Sequence, residues 1–271
     1  MREKLLHFFN YFFGKGDVEE FRYFSLAHLI PILILGVILF LIIKNRDQLA
    51  KSPREEKNRI IMSVIMIVAE MSYFWRLLHP DLDANVYDHL PITICGIANV
   101  FCAFMLLTKN KKCFDIVYVL VLGTSINAII TPAVLTYCGP TRYRYYQYWT
   151  EHMMLFISAF YMMFVHKMRP TWKSYIPSVA VLVSIGLLAV FANWLLGSGY
   201  TPDNHYTTAN YLFINTVEDG FSIANFLPSN PWLKWLCILG IVSVLYLLPY
   251  IPWIIIDNRK KKQSPAKQTA E

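Results

Sequence analysis

Hydrophobic positions along the chain fall into seven long runs separated by short polar stretches: Ser25–Ile43, Arg59–His79, His89–Leu107, Phe114–Thr136, Tyr146–His166, Tyr175–Gly197 and Leu233–Ile256. Each comes close to the roughly 20 residues a helix needs to cross a bilayer. None alternates apolar and polar with period two, which excludes the strands of a closed barrel. Inside hydrocarbon every backbone amide needs an internal partner, so the runs are read as helices. The pattern predicts an all-α bundle of seven transmembrane helices over residues 25–256. An interfacial segment (1–24) precedes it and a basic, disordered tail (257–271) follows. No loop is long enough to hold a second core.

Charge orients the bundle. Only 16% of residues are charged, against about 25% in soluble domains. The formal net charge of +7 is concentrated in particular connections. Lys44, Arg46, Lys51, Arg54, Lys57 and Arg59 gather between the first two runs; Lys109, Lys111 and Lys112 between the third and fourth; Lys167, Arg169 and Lys173 between the fifth and sixth. The tail adds Arg259 to Lys262 and Lys267, while the connection after the second run holds only Asp81, Asp83 and Asp88. The positive-inside rule then places the N-terminus outside and the C-terminus in the cytoplasm. Arg2, Lys4, Lys15 and Arg22 run against that assignment. Positive charge distributed this way serves topology, so nucleic acid is not an expected partner. No reading of oligomeric state follows.

The opening MREKLLHFFNYFF is basic, then aromatic, and is interrupted by His7 and Asn10. It reads as an interfacial helix rather than a signal peptide. Five cysteines are present. Their spacing suggests neither a disulfide framework nor a metal site, and no cofactor is called for.

Polar residues inside membrane spans are expensive and point to function. Counting from the expected outer ends, Cys95 lies about 9 Å deep in the third helix and His152 equally deep in the fifth. Glu70 and Arg76 on the second helix, Asn127 and Thr131 on the fourth, and Asn193 on the sixth share that layer. Asn99, four residues after Cys95 on the same helix face, marks its floor. The expectation is a polar cavity in the outer half of the bundle. A cysteine within a span also serves as a small packing residue, and this is the reading preferred for Cys102. Trp75, Tyr145, Tyr146, Tyr148 and Trp149 fit an interfacial aromatic belt.

Cysteine attacks as thiolate, and a neighbouring histidine assists its formation. A Cys95–His152 pair at one depth is the minimum for nucleophilic acyl transfer. Arg76, Asn127 and Thr131 are candidates to hold a lipid head group or an oxyanion, and Glu70 to orient His152. The expected partner is then a membrane phospholipid or another acyl lipid. Thr93, two residues before Cys95, points elsewhere on a helix. Sulfur and imidazole are expected within about 6 Å of each other.

The order of several motifs resembles that of the YwaF-like integral membrane proteins of bacteria, over about Arg59 to Trp253. The matching elements are Glu70 in AEMSYFW, the HLPITIC stretch from His89 to Cys95, Thr131–Pro132, RYYQYWTEH from Arg144 to His152, Asn193, and NYLFI from Asn210 to Ile214. Two positions depart from the family pattern: Thr93, where it has a histidine, and Ala133, where it often has an acid. The family is remotely similar to a eukaryotic multi-pass acyltransferase that remodels ether phospholipids. The resemblance implies a multi-pass protein of the bacterial plasma membrane, with Cys95 and His152 as the catalytic pair. It implies supporting roles for Glu70, Thr131, Arg144, Asn193, Asn210 and Tyr211, beside those expected from depth for Arg76, Asn99 and Asn127. A transporter or receptor using the same cavity, and a scaffold, stand as alternatives. The aromatic-rich stretch from Gly197 to Pro231 is expected to be ordered over the cavity mouth, with Asn210 and Tyr211 facing Cys95.

Overall fold

The computed structural model describes residues 2–14, 21–79, 82, 90–132, 139–196, 209–213 and 226–263. Those residues form an all-helical membrane protein. The helices are α1 (Arg2–Phe13), α2 (Leu26–Lys44), α3 (Arg46–Lys51), α4 (Glu55–Leu77), α5 (Ile94–Thr108), α6 (Lys111–Leu120), α7 (Ile126–Ile130), α8 (Tyr143–Phe164), α9 (Tyr175–Leu196), α10 (Pro231–Leu245) and α11 (Ile251–Gln263).

Five helical stretches are long and apolar enough to cross a membrane: Leu26–Lys44, Glu55–Leu77, Lys111–Ile130, Trp172–Leu196 and Trp232–Arg259. The other two expected spans differ in kind. Helix α5 is apolar but has only 15 residues. Helix α8 has 22 residues, of which 14 are buried, among them Gln147, Glu151 and His152. It packs against α2, α4 and α5 and forms the centre of the bundle. By contrast α2 buries only His28, Pro31, Leu35 and Ile42, one stripe with spacing near 3.6. The rest of α2 is apolar and exposed, as a lipid-facing helix should be.

Three helices depart from their expected bounds. Residues 90–93 are not helical, and Thr93 rather than His89 begins the third helix. The amide of Ile92 donates to Leu90 O at 2.7 Å, a three-residue turn centred on Pro91. Pro91 therefore precedes the helix and is not in its first turn. The fourth run contains a π-helical turn, Val121–Ser125, between α6 and α7, and α7 stops at Ile130, short of Pro132. The seventh run breaks at Tyr246–Tyr250 between α10 and α11. At its far end α11 continues helical through Gln263, past the expected start of the tail.

Arg59 locks one end of the bundle. It is 3% exposed. Its Nη1 donates to Leu106 O and, at 3.4 Å, to Leu107 O, which caps the end of α5. Its Nε donates to Glu55 Oε1 at 2.8 Å, and the same carboxyl oxygen lies 2.6 Å from His166 Nε2. Carbonyls at a helix C-terminus carry partial negative charge, so a guanidinium there is favourable. At the opposite end Arg76 donates to Phe13 O at 3.0 Å, and Arg142 donates to Tyr11 O, which ties α1 across the ends of α4 and α8.

Candidate functional site

The approach to Cys95 is built by helix capping. Thr93 is extended (φ −112°, ψ 156°) and its Oγ1 accepts from the Gly96 amide at 3.0 Å. The side chain satisfies one amide that the first turn leaves unpaired. Cys95 is thus the second residue of α5 and not six residues inside a helix. At a helix N-terminus, unpaired amides and the aligned peptide dipoles favour negative charge.

The nearest polar partner of Cys95 is one that the sequence reading passed over. Sγ lies 3.6 Å from Ser125 Oγ. Ser125 is fully buried and closes the π-turn. That turn exists where Gly123 meets Tyr246: a Cβ on Gly123 would stand 2.6 Å from Tyr246 Cδ1. A π-turn adds one residue to a helix and so re-aims the side chains that follow.

His152 is 6% exposed, and its ring stacks on Tyr148 with centroids 4.0 Å apart. Its Nδ1 lies 2.8 Å from Tyr148 O. A carbonyl only accepts, so Nδ1 carries the proton and Nε2 is the basic nitrogen. Nε2 makes no hydrogen bond among the described residues. Tyr148 Oη in turn donates to Ala128 O at 2.8 Å. Cys95 and His152 are not hydrogen-bonded to each other in this resting arrangement.

A buried acid cluster adjoins the start of α5. Glu70 (α4) and Glu151 (α8) lie within hydrogen-bond reach of one another. Gln147 Nε2 donates to Glu151 Oε2 at 2.8 Å and to Ala69 O at 3.1 Å. Arg144 donates to Gln147 Oε1 and lies over the rings of Tyr73 and Tyr148, 4.4 and 5.5 Å from their centroids. Asn99 Nδ2 donates to Met66 O at 2.9 Å and to Glu70 Oε2 at 3.4 Å. Two carboxylates at that separation repel unless a neighbouring charge balances them, and Arg144 supplies one positive charge beside the pair. Glu70 Oε1 also approaches Gly96 so closely that a Cβ there would stand 3.2 Å away. The absence of a side chain at Gly96 therefore lets the acid cluster reach the start of α5, next to Cys95. Among the described residues, two buried polar atoms, Asn99 Oδ1 in this cluster and Trp149 Nε1, make no hydrogen bond. Such atoms are rare and are completed by water or ligand.

The remaining expected residues divide. Asn99 and Arg144 join Glu70 in the cluster. Arg76 does not serve there: it donates to Phe13 O, and the cation beside Glu70 is Arg144. Asn127 and Thr131 are exposed, and the Thr131 hydroxyl donates to Asn127 O in its own helix. Asn193 is buried and grips the Tyr211 backbone, accepting from its amide at 2.7 Å and donating to its carbonyl at 3.1 Å. Tyr211 Oη accepts from the Leu90 amide at 2.9 Å, which steadies the chain ahead of α5 rather than reaching over Cys95. Asn210 is half-buried beside it. Of the stretch 197–231, residues 197–208 and 214–225 lie outside the described residues, as do His89, Ala133 and Cys138. The sequence reading also missed Glu151, although an acid inside a span is itself a signal. It missed His28, 1% exposed, whose Nε2 lies 2.9 Å from Ile129 O.

Compared with known proteins, the chain matches the family model of the TMEM164 family over residues 23–250. No curated protein and no solved structure matches it.

Proposed function

We propose, for a chain that belongs to the TMEM164 family of membrane proteins, that it is a membrane-embedded acyltransferase or acyl hydrolase acting on phospholipid or another acyl lipid. Cys95 is the nucleophile and His152 the base in this reading. The observation that carries it is the position of Cys95 at the second residue of a capped helix, where the aligned peptide dipoles offset part of the cost of a buried negative charge. The order of motifs shared with YwaF-like proteins, and their remote likeness to a eukaryotic acyltransferase, point the same way.

The chemistry is an ordinary two-step exchange. Nε2 of His152 takes the thiol proton as Sγ attacks the acyl carbonyl. The C–O bond then breaks, and the departing lipid alkoxide takes that proton. An acceptor hydroxyl, or water in the hydrolase case, next loses its proton to His152 and attacks the thioester. The C–S bond breaks, and the thiolate recovers the proton. Ser125 holds the resting thiol, and the Cys95 amide at the helix start is the natural donor to the oxyanion. The expected setting is the bacterial plasma membrane, with the site towards the outer face by the positive-inside rule.

The test is the intact mass of the purified protein after exposure to phospholipid. An acyl adduct is expected on the wild type and absent from Cys95→Ser. It should accumulate more slowly in His152→Ala. An adduct that survives Cys95→Ser removes Cys95 from the role.

A second reading rests on the Glu70–Glu151 pair, two carboxylates held beside one another between two spanning helices. Such a pair suits a proton-linked transporter or a receptor for a small molecule. Retained ligand binding in Cys95→Ser, with no covalent adduct on the wild type, selects this reading.

A further inference from the structure

A second site lies at the opposite end of the bundle. A cavity of about 470 Å³ opens between α3, the end of α8 and α11. His152 and Phe164, which lines it, are about 18 Å apart along the axis of α8. Counting Asp257, which accepts from Arg169, one net positive charge remains on a lining that sets Asp47 against Arg46, Lys167 and Arg169. Asp47 does little to quench them. It stands 3.8 Å from Arg46 and 4.0 Å from Lys167, with side-chain exposures of 65%, 50% and 76% for Asp47, Arg46 and Lys167. Exposed pairs at that distance contribute little. Lys167, three residues past the end of α8, adopts φ 56°, a left-handed conformation that glycine adopts without strain. The lysine there sets a charge on the rim.

The other half of the wall is apolar. Met163, Phe164 and Trp253 line it, and the Arg169 guanidinium lies 4.5 Å from the Trp253 ring centroid while Nη2 donates to Asp257 at 2.6 Å. Cations beside an aromatic ring at the end of spanning helices match a phosphate with the start of its acyl chains. A free anion would use only the charged half.

We propose that this pocket binds the head group of an anionic phospholipid from the adjoining leaflet. The site is independent of any chemistry at Cys95.

The experiment titrates phosphatidylglycerol, phosphatidylcholine and inorganic phosphate separately into the detergent-purified full chain, with binding read by native mass spectrometry. The comparison is Arg46→Gln/Lys167→Gln, whose side chains are at least half exposed, and thermal unfolding verifies that the variant is folded. Phosphatidylglycerol is expected to bind one to one, more weakly at high salt. The double variant should lose roughly thirtyfold in affinity, from the loss of two surface charges. Equal binding of phosphatidylcholine, equal binding of free phosphate, or unchanged affinity in the folded variant each overturns the proposal.

Discussion

Gly123→Ala is the sharpest probe of how the bundle shapes its polar site. The added Cβ would stand 2.6 Å from Tyr246 Cδ1 and 2.9 Å from Cε1. Carbon atoms in contact settle at about 3.5–4.0 Å, so the ring or the π-turn must move by roughly 1 Å. Tyr246 is fully buried and the turn is enclosed, so neither can yield freely. Overpacking of this kind costs about 1–3 kcal/mol. Alanine returns at most about 1 kcal/mol through its helix propensity. The net expectation is a loss of about 1–2 kcal/mol, and each kcal/mol lowers Tm by about 2–4 °C in a chain of this size. The displaced turn carries Ser125 away from Cys95, so alkylation of Cys95 should change in rate as well. The assay is thermal unfolding in detergent beside the alkylation rate of Cys95 in a variant lacking the other four cysteines. Tyr246→Leu removes the clashing ring atoms, so Gly123→Ala should cost less in that background, and in a double-mutant cycle the double variant should lose less than the sum of the two single losses. If Gly123→Ala leaves both Tm and Cys95 reactivity at wild-type values, the π-turn is not held by this contact and the reasoning fails.

Other expectations follow from the same contacts. Glu70→Gln or Glu151→Gln alone should be tolerated to within a few degrees, because Arg144 then balances the one remaining carboxylate. The double change strands Arg144 and should cost about 3 kcal/mol, the low end for a broken buried pair; equal losses for single and double variants would contradict the balance of the acids by Arg144. Asn193→Ala removes both hydrogen bonds to the Tyr211 backbone. It should cost about 2 kcal/mol for the orphaned groups and speed proteolysis near residues 209–213, and an unchanged cleavage pattern would show that the segment is held by other contacts. Reporter fusions after Lys262 should read cytoplasm and those near Asp203 the outside, and the opposite pattern would invert the leaflet of both sites.

What the sequence settled on its own was whatever depends on composition along a single helix. Long apolar runs must be helical in hydrocarbon whatever surrounds them, so α2, α4 and α9 were legible within a few residues. Glu70, Asn99 and His152 were legible as polar groups inside spans, because their cost in a membrane is local. The helix starts and the pairings were not. Where α5 begins depends on Thr93 turning its hydroxyl to the Gly96 amide and on Tyr211, far along the chain, taking the Leu90 amide. Ser125 reaches Cys95 because a ring on a distant helix presses on Gly123. Arg76 was the cation expected in the polar layer, yet it holds α1, and Arg144 lies beside the acid pair. Depth along a helix can be counted from its own residues. Which side chains meet is set by how the helices rotate and approach, and that is decided by packing between residues far apart in the chain.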